Sequence, residues 1–367
     1  MKNPATGDLL EIDPEALTLA RCIDSVEQLL AAVRRLSADY YNSTAVVELG
    51  DAMTAEGGAR LEWSVPIDLK TLSVVAAMAQ LPLAFRGSTD LGKTALAERV
   101  LTALFGSHGL DWWRMEMNRG MTIDDLIDVD VAKLAKAKLS EAVAGARWLD
   151  KAGRLLDELN RVHPKLLNLA LHLVDGSGFN VRGDLSIPVG QPYCVGAEQK
   201  RFSFSIVTAN QLDAAYAGVF EEDLAMTRRV VISADLDELP PTHRDRTKML
   251  CERRAKAAVP PALPRTRQLI EVYESLGRVI PFSALAHLLL CYLAGMSTCV
   301  RTRSGRVRPE LSPAVCEKCH LFKAHRFCGR VGGLSDGLLL RVKELATSLA
   351  AVRAVSVLDQ VRRQCTR

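Results

Sequence analysis

Apolar residues recur at helical spacing from Leu17 to Arg34, from Ala52 to Leu61 and from Leu69 to Ala79. The pattern then shortens. Leu81 to Arg86 is an apolar run of strand length, and Ala95 to Leu101 returns to helical spacing. Further strand-like runs follow at Trp112 to Asn118, Gly153 to Asp157, Phe202 to Thr208 and Val230 to Ala234. Between the later runs, Leu166, Leu167, Leu169, Ala170, Leu173 and Val174 line one face of a helix, and Gly176 to Asp184 with Ile187 to Val195 read as a hairpin or short insertion. Strands alternating with helices predict an α/β core with a five-stranded parallel sheet flanked by helices.

The loop between the first core strand and its helix is Gly87-Ser88-Thr89-Asp90-Leu91-Gly92-Lys93-Thr94, which fills the pattern G-x-x-x-x-G-K-[ST] without a gap. In that setting backbone N–H groups and a helix N-terminus face phosphate groups, Lys93 can reach the outer phosphates, and the Thr94 hydroxyl can ligate Mg²⁺. A phosphate loop needs a second half, and the strand Gly153 to Asp157 ends in the adjacent acids Asp157 and Glu158. Asp157 is assigned to the metal and Glu158 to the attacking water, because parallel strands gather their carboxyl ends at one crevice. Asn210, at the end of the next strand, is either a ligand of the outer phosphate or its water, or a turn residue. Arg228 and Arg229 stand just before the last strand, where they can either cap a helix end or offer a guanidinium to a neighbouring subunit's phosphate. Trp112 and Trp113 alternate with Met115 and Met117 as a buried strand does, which favours core packing over base stacking.

This order of motifs resembles the AAA+ ATPases over about residues 62–240. The run Leu155-Leu156-Asp157-Glu158-Leu159-Asn160-Arg161-Val162-His163-Pro164-Lys165 is closest to their MoxR branch, which shows a similar acid-x-Asn-Arg-x-x-Pro-Lys run. The resemblance implies a P-loop NTPase core with a C-terminal helical lid, and an ATP-hydrolysing, Mg²⁺-dependent, chaperone-like remodeller of a protein client. Such proteins work as homo-oligomeric rings, usually hexamers, whose active sites are shared between neighbours. Matched by position, Lys93 and Thr94 are the phosphate-loop pair, Asp157 and Glu158 the second-motif acids, and Asn210 the sensor. Arg228 matches the trans-acting arginine, with Arg229 as its substitute, and Phe179 to Val195 falls where the branch carries a hairpin beside the pore. The implied division is an N-terminal extension at 1–60, a core at 61–237 and a lid at 238–367. The lid departs from the family at Leu334-Ser335-Asp336-Gly337, where Asp336 stands near the place of a second-sensor arginine and Arg341 is the candidate replacement.

The N-terminus has no signal-peptide apolar region and no apolar run reaches about 18 residues, so no membrane segment is expected and the cytoplasm is the expected location. A net charge of +4 is too small to imply nucleic acid, although Arg301, Arg303, Arg306 and Arg308 form a local basic run. Nine cysteines argue for thiols or metal ligands over a disulfide framework. Cys316 and Cys319 form a C-x2-C pair, Cys328 follows and Cys299 precedes, all within an insertion at about 299–330. Four thiolates of that kind suit a [4Fe–4S] cluster or Zn²⁺, with His320 or His325 as alternative zinc ligands; idle buried thiols are the plain alternative. The basic run with a cysteine-held centre defines a second reading, a nucleic-acid-linked AAA+ motor.

Overall fold

The computed structural model describes residues 9–36, 44–48, 53–54, 60–61, 64–129, 143–180, 186–210, 229–230, 232–255, 264–279 and 336–365. In chain order these form β1 (Leu10–Ile12), α1 (Leu19–Leu36), β2 (Thr44–Glu48), β3 (Met53–Thr54), β4 (Arg60–Leu61), β5 (Ser64–Asp68), α2 (Leu69–Met78), β6 (Leu83–Gly87) and α3 (Lys93–Phe105). Then come β7 (Trp112–Glu116), β8 (Ile127–Val129), β9 (Val143–Gly145), β10 (Gly153–Asp157), α4 (Pro164–Asp175), β11 (Phe179–Asn180), β12 (Ser186–Ile187), β13 (Gln191–Val195), β14 (Glu198–Phe202) and β15 (Phe204–Asn210). The chain continues through β16 (Ile232–Asp235), α5 (His243–Ala255), α6 (Thr266–Val279) and α7 (Asp336–Cys365).

The central sheet has five strands in the order β16-β6-β15-β10-β7, all parallel. Both its faces are buried, so its strands read as continuous apolar runs rather than as alternation. Leu83, Phe85, Leu155, Phe204 and Ile206 point into a core shared with α1, α2, α3, α6 and α7. Their neighbours Ala84, Leu156 and Val207 point into a second core under α4, with Trp148, Leu171 and Phe179. The register sets Asn210 beside Gly87 and Asp157 beside Glu116, so the carboxyl ends of the strands share one edge.

Local chemistry sets the element ends. Asp68 caps α2 by accepting from the Thr71 amide at 2.7 Å and its hydroxyl at 2.9 Å, and Gln80 at φ 51° turns the chain out of the helix. Trp112 is buried, with its indole N–H donating to the Gly106 carbonyl at 3.0 Å, and so serves packing. The helix α1 packs on α3, α6 and α7.

One expectation changes. Within the stretch from Ala52 to Leu61, expected to be helical, the described residues form β3 and β4, which pair antiparallel with Met53 opposite Leu61. The Gly57-Gly58 pair disfavours a helix there. The segment read as a hairpin or short insertion holds an antiparallel pair, with Phe179 opposite Ile187, followed by β13, which joins β14 across Gly196 at φ 59° and runs parallel to β1. Residues 181–185 lie outside the described residues.

Candidate nucleotide site

The phosphate loop leaves β6 at Gly87 and enters α3 at Lys93. Gly87 has φ 135° and Gly92, at the helix N-cap, φ 79°, conformations that side chains resist. A Cβ on Gly87 would also lie 3.0 Å from Leu91 Cδ1 and 3.2 Å from Asp237 Oδ2. Asp90 adopts φ 63°, tolerable for a short polar side chain. The Lys93 ammonium curls over the loop, donating to the carbonyls of Gly87 at 2.9 Å and Ser88 at 2.6 Å. Burial lowers its pKa from the ordinary lysine value, opposed by Asp237, Asp157, Glu158 and Asp90. Asp237, just past β16, accepts from the Ser88 amide at 2.8 Å and ties the loop's first turn to the adjacent strand.

Asp157 ends β10 with 3% of its surface exposed. Its Oδ1 accepts from the Thr94 hydroxyl at 2.8 Å and the Thr208 hydroxyl at 2.5 Å, while its Oδ2 accepts from Arg114 Nη2 at 2.6 Å. Arg114 also bonds Glu98 on α3 at 2.8 Å. Burial alone would lower the Arg114 pKa; Asp157 and Glu98 outweigh it and raise it. Glu158 follows in the left-handed region at φ 58°, a strained corner for a non-glycine residue. Its amide donates to Thr208 Oγ1 at 2.8 Å, so one hydroxyl holds both acids. The Glu158 carboxylate meets Asn210 Nδ2 at 3.4 Å and pairs with Arg161 at 2.9 Å. Asn160 Nδ2 donates to the Asn210 carbonyl at 2.7 Å, fixing the end of β15.

The structure therefore brings together Gly87, Lys93, Thr94, Asp157, Glu158 and Asn210 at the carboxyl edge of β6, β10 and β15. The Thr94 hydroxyl and the Asp157 carboxylate are hard oxygen donors side by side, a donor set that fits Mg²⁺. Arg229 stands elsewhere. Ile232 is in register with Leu83, the first residue of β6, so Arg229 lies beyond the opposite edge of the sheet, roughly 16 Å of strand from the loop. There its guanidinium pairs with Asp175 at 3.1 Å. Arg341 donates to the Arg229 carbonyl at 2.7 Å, which commits this guanidinium to that far edge rather than to the phosphate loop. Asp336 opens α7. Arg228, Cys299, Cys316, Cys319 and Cys328 lie outside the described residues. Among the described residues no group of three or more His, Cys, Asp and Glu is arranged to hold a metal ion, and no helix is long and apolar enough to cross a membrane.

Three participants went unnoticed in the sequence: Arg114, Thr208 and Asp237. Arg114 carried a signal, a charge in the interior of a strand between the apolar residues Trp113 and Met115. Thr208 stands two residues before Asn210 in β15, and nothing in its neighbourhood distinguishes it from a β-forming threonine.

No protein-family model and no curated protein matches this sequence. Among solved structures, a Cytophaga hutchinsonii protein assigned as an ATPase aligns over 92% of this chain and 82% of its own, with TM-score 0.57 and 11% identity. A full-length MCM homologue from Methanopyrus kandleri aligns over 95% of this chain and 59% of its own, with TM-score 0.41 and 12% identity. At such identity the first likeness is one of fold. The five-stranded parallel sheet with its flanking helices is an α/β fold shared with that first structure.

Proposed function

We propose that this chain is a Mg²⁺-dependent ATPase of the AAA+ type, close to the MoxR branch, that works as a homo-oligomeric ring and remodels a protein partner. The observation that carries the reading is the single hydroxyl of Thr208 holding Asp157 beside Thr94 and Glu158 beside Asn210, next to a phosphate loop. Lys93 and the loop amides would bind the phosphates, and Thr94 and Asp157 would hold Mg²⁺, which supplies charge neutralisation at the transferred phosphoryl group. Glu158 would orient or deprotonate water, with Asn210 reporting on the phosphate. The far-edge position of Arg229 supports a role toward a neighbouring subunit, since it is distant from the loop of its own chain. Remodelling of a client follows from the analogy with that family.

The test compares three proteins. Wild type should bind and hydrolyse ATP; Lys93→Ala should lose binding; Glu158→Gln should retain binding and lose turnover by about 10²- to 10⁴-fold. Chromatography coupled to light scattering with ATP should show the Glu158→Gln protein as a ring. Wild-type protein that binds no nucleotide ends the proposal. Salt-sensitive stimulation by DNA or RNA would move it to a nucleic-acid motor.

A further inference from the structure

The geometry points to Arg114 as a built-in counter-cation of the metal-binding acid, a positioning residue that sets the Mg²⁺ concentration at which nucleotide is engaged. The inference rests on the nucleotide reading of the site. Arg114 rises from β7, the strand next to β10, and Leu155 lies opposite it in the register. Its two terminal nitrogens divide between two carboxylates, Nη1 on Glu98 at 2.8 Å and Nη2 on Asp157 at 2.6 Å. With Thr94 and Thr208 both on Oδ1, Asp157 holds two hydroxyl donors on one oxygen and a guanidinium on the other.

Metal coordination by Asp157 is therefore not coordination by a free carboxylate. The Arg114 side chain is 35% exposed, so it has room to swing, whereas Asp157 is almost wholly buried and does not. Glu98, at 40% exposure on the first helix after the phosphate loop, gives the guanidinium a second carboxylate to rest on when a metal at Asp157 displaces it. A cation a few ångströms from a divalent ion opposes its binding, and the opposition is strong where solvent is partly excluded. Arg114 thus raises the Mg²⁺ requirement and keeps a buried acid compensated, two consequences of one contact. Nothing in the phosphate loop itself requires an arginine at this position.

The experiment measures a fluorescent ADP analogue against the full chain across a Mg²⁺ titration, with Mn²⁺ bound directly and followed by electron paramagnetic resonance as an activity-independent readout. Arg114→Gln should lower the metal midpoint by at least about tenfold, as expected for removing a unit charge beside a divalent ion. Metal-free ADP affinity should change by less than about twofold, since Arg114 does not touch the loop. Arg114→Lys, which keeps the charge, should stay near wild type. Glu98→Gln leaves the guanidinium to Asp157 alone and should raise the midpoint.

An unchanged or raised midpoint in Arg114→Gln overturns the inference, as does Arg114→Lys behaving like the neutral variant. Should Arg114→Gln fail to fold, the Glu98→Gln and Arg114→Lys midpoints decide alone, and an unmoved Glu98→Gln midpoint overturns it. Wild-type protein that binds no nucleotide removes the functional reading itself, an outcome distinct from binding with an unshifted midpoint.

Discussion

Thr208→Val is the perturbation that bears most directly on the site, because valine keeps the shape of threonine and removes only the hydroxyl. Thr208 is 1% exposed, so solvent cannot replace what is lost. Two bonds go: the one donated to the Asp157 carboxylate at 2.5 Å and the one accepted from the Glu158 amide at 2.8 Å. A hydrogen bond to a charged group is worth about 1.5–3 kcal/mol and an unpaired amide costs about 1–3 kcal/mol, offset in part by the added methyl group, for a net of roughly 2–4 kcal/mol. With unfolding entropy near 2.1 cal/mol/K per residue, a chain of 367 residues loses about 1.3 °C per kcal/mol, so Tm should fall by roughly 3–5 °C. Turnover should fall further than stability suggests, by about tenfold or more, because Asp157 and Glu158, the proposed metal and water acids, lose their common hold at once. The control is Thr208→Ser, which keeps both bonds and gives up one buried methyl, about 1 kcal/mol and about 1 °C, with turnover within about twofold of wild type. Differential scanning fluorimetry beside a phosphate-release assay reads both. A Thr208→Val protein melting within a degree of wild type, or turning over at its rate, would refute the shared-hydroxyl argument.

Arg154 is a buried cation on β10 that bonds the Lys151 carbonyl, Ser203 and Ser205, has no carboxylate partner among the described residues, and is lowered by burial to about 10. It remains charged at neutral pH, so Arg154→Met should stabilise the fold by roughly 1–3 kcal/mol in thermal unfolding, and a loss of similar size would show the arginine to be structurally favourable. Burial raises the pKa of Glu344 above its ordinary 4.5, opposed by Arg341 and Lys343. The folded state then holds the proton more tightly, so the stability from this group is full below 4.5 and is lost as pH rises through the folded value. Glu344→Gln should flatten the melting temperature against pH in that window, and an unchanged slope counts against the assignment. The C-x2-C spacing of Cys316 and Cys319 predicts one iron–sulfur or zinc centre per chain, read by elemental analysis and lost in Cys316→Ser. Finding neither metal in anaerobically purified protein ends that reading.

What the sequence made legible is local or follows from one topological rule. The phosphate loop is eight consecutive residues whose strand-before, helix-after context is itself local, and β6 and α3 occur where that context requires. The pairing of Thr94 with Asp157, 63 positions apart, was still foreseeable, because parallel strands deliver their carboxyl ends to one edge. The same rule does not say which side chains lean across that edge. Arg114 reaches partners 16 and 43 positions away, and Thr208 reaches an acid 51 positions away. Hydrophobic periodicity reports that a face is buried, not what lies against it, so β1, three residues long, gave no sign of pairing with β13.

Two of the residues that escaped notice, Arg114 and Thr208, share a physical character. Each is polar, sits on a strand with apolar neighbours, and contacts Asp157, an acid that the motif had already singled out. Motif residues announce themselves because their chemistry demands a fixed spacing, whereas the groups that hold a carboxylate in place need only proximity, which any strand position at the right register can supply. Asp157 with a guanidinium on one oxygen and two hydroxyls on the other is a different acid from a free aspartate, in its affinity for a divalent ion and in its freedom to move. The rate and metal requirement of this site should therefore follow Arg114 and Thr208 as closely as the motif residues, and variants at these two positions should shift those properties while the fold and the phosphate loop stay as they are.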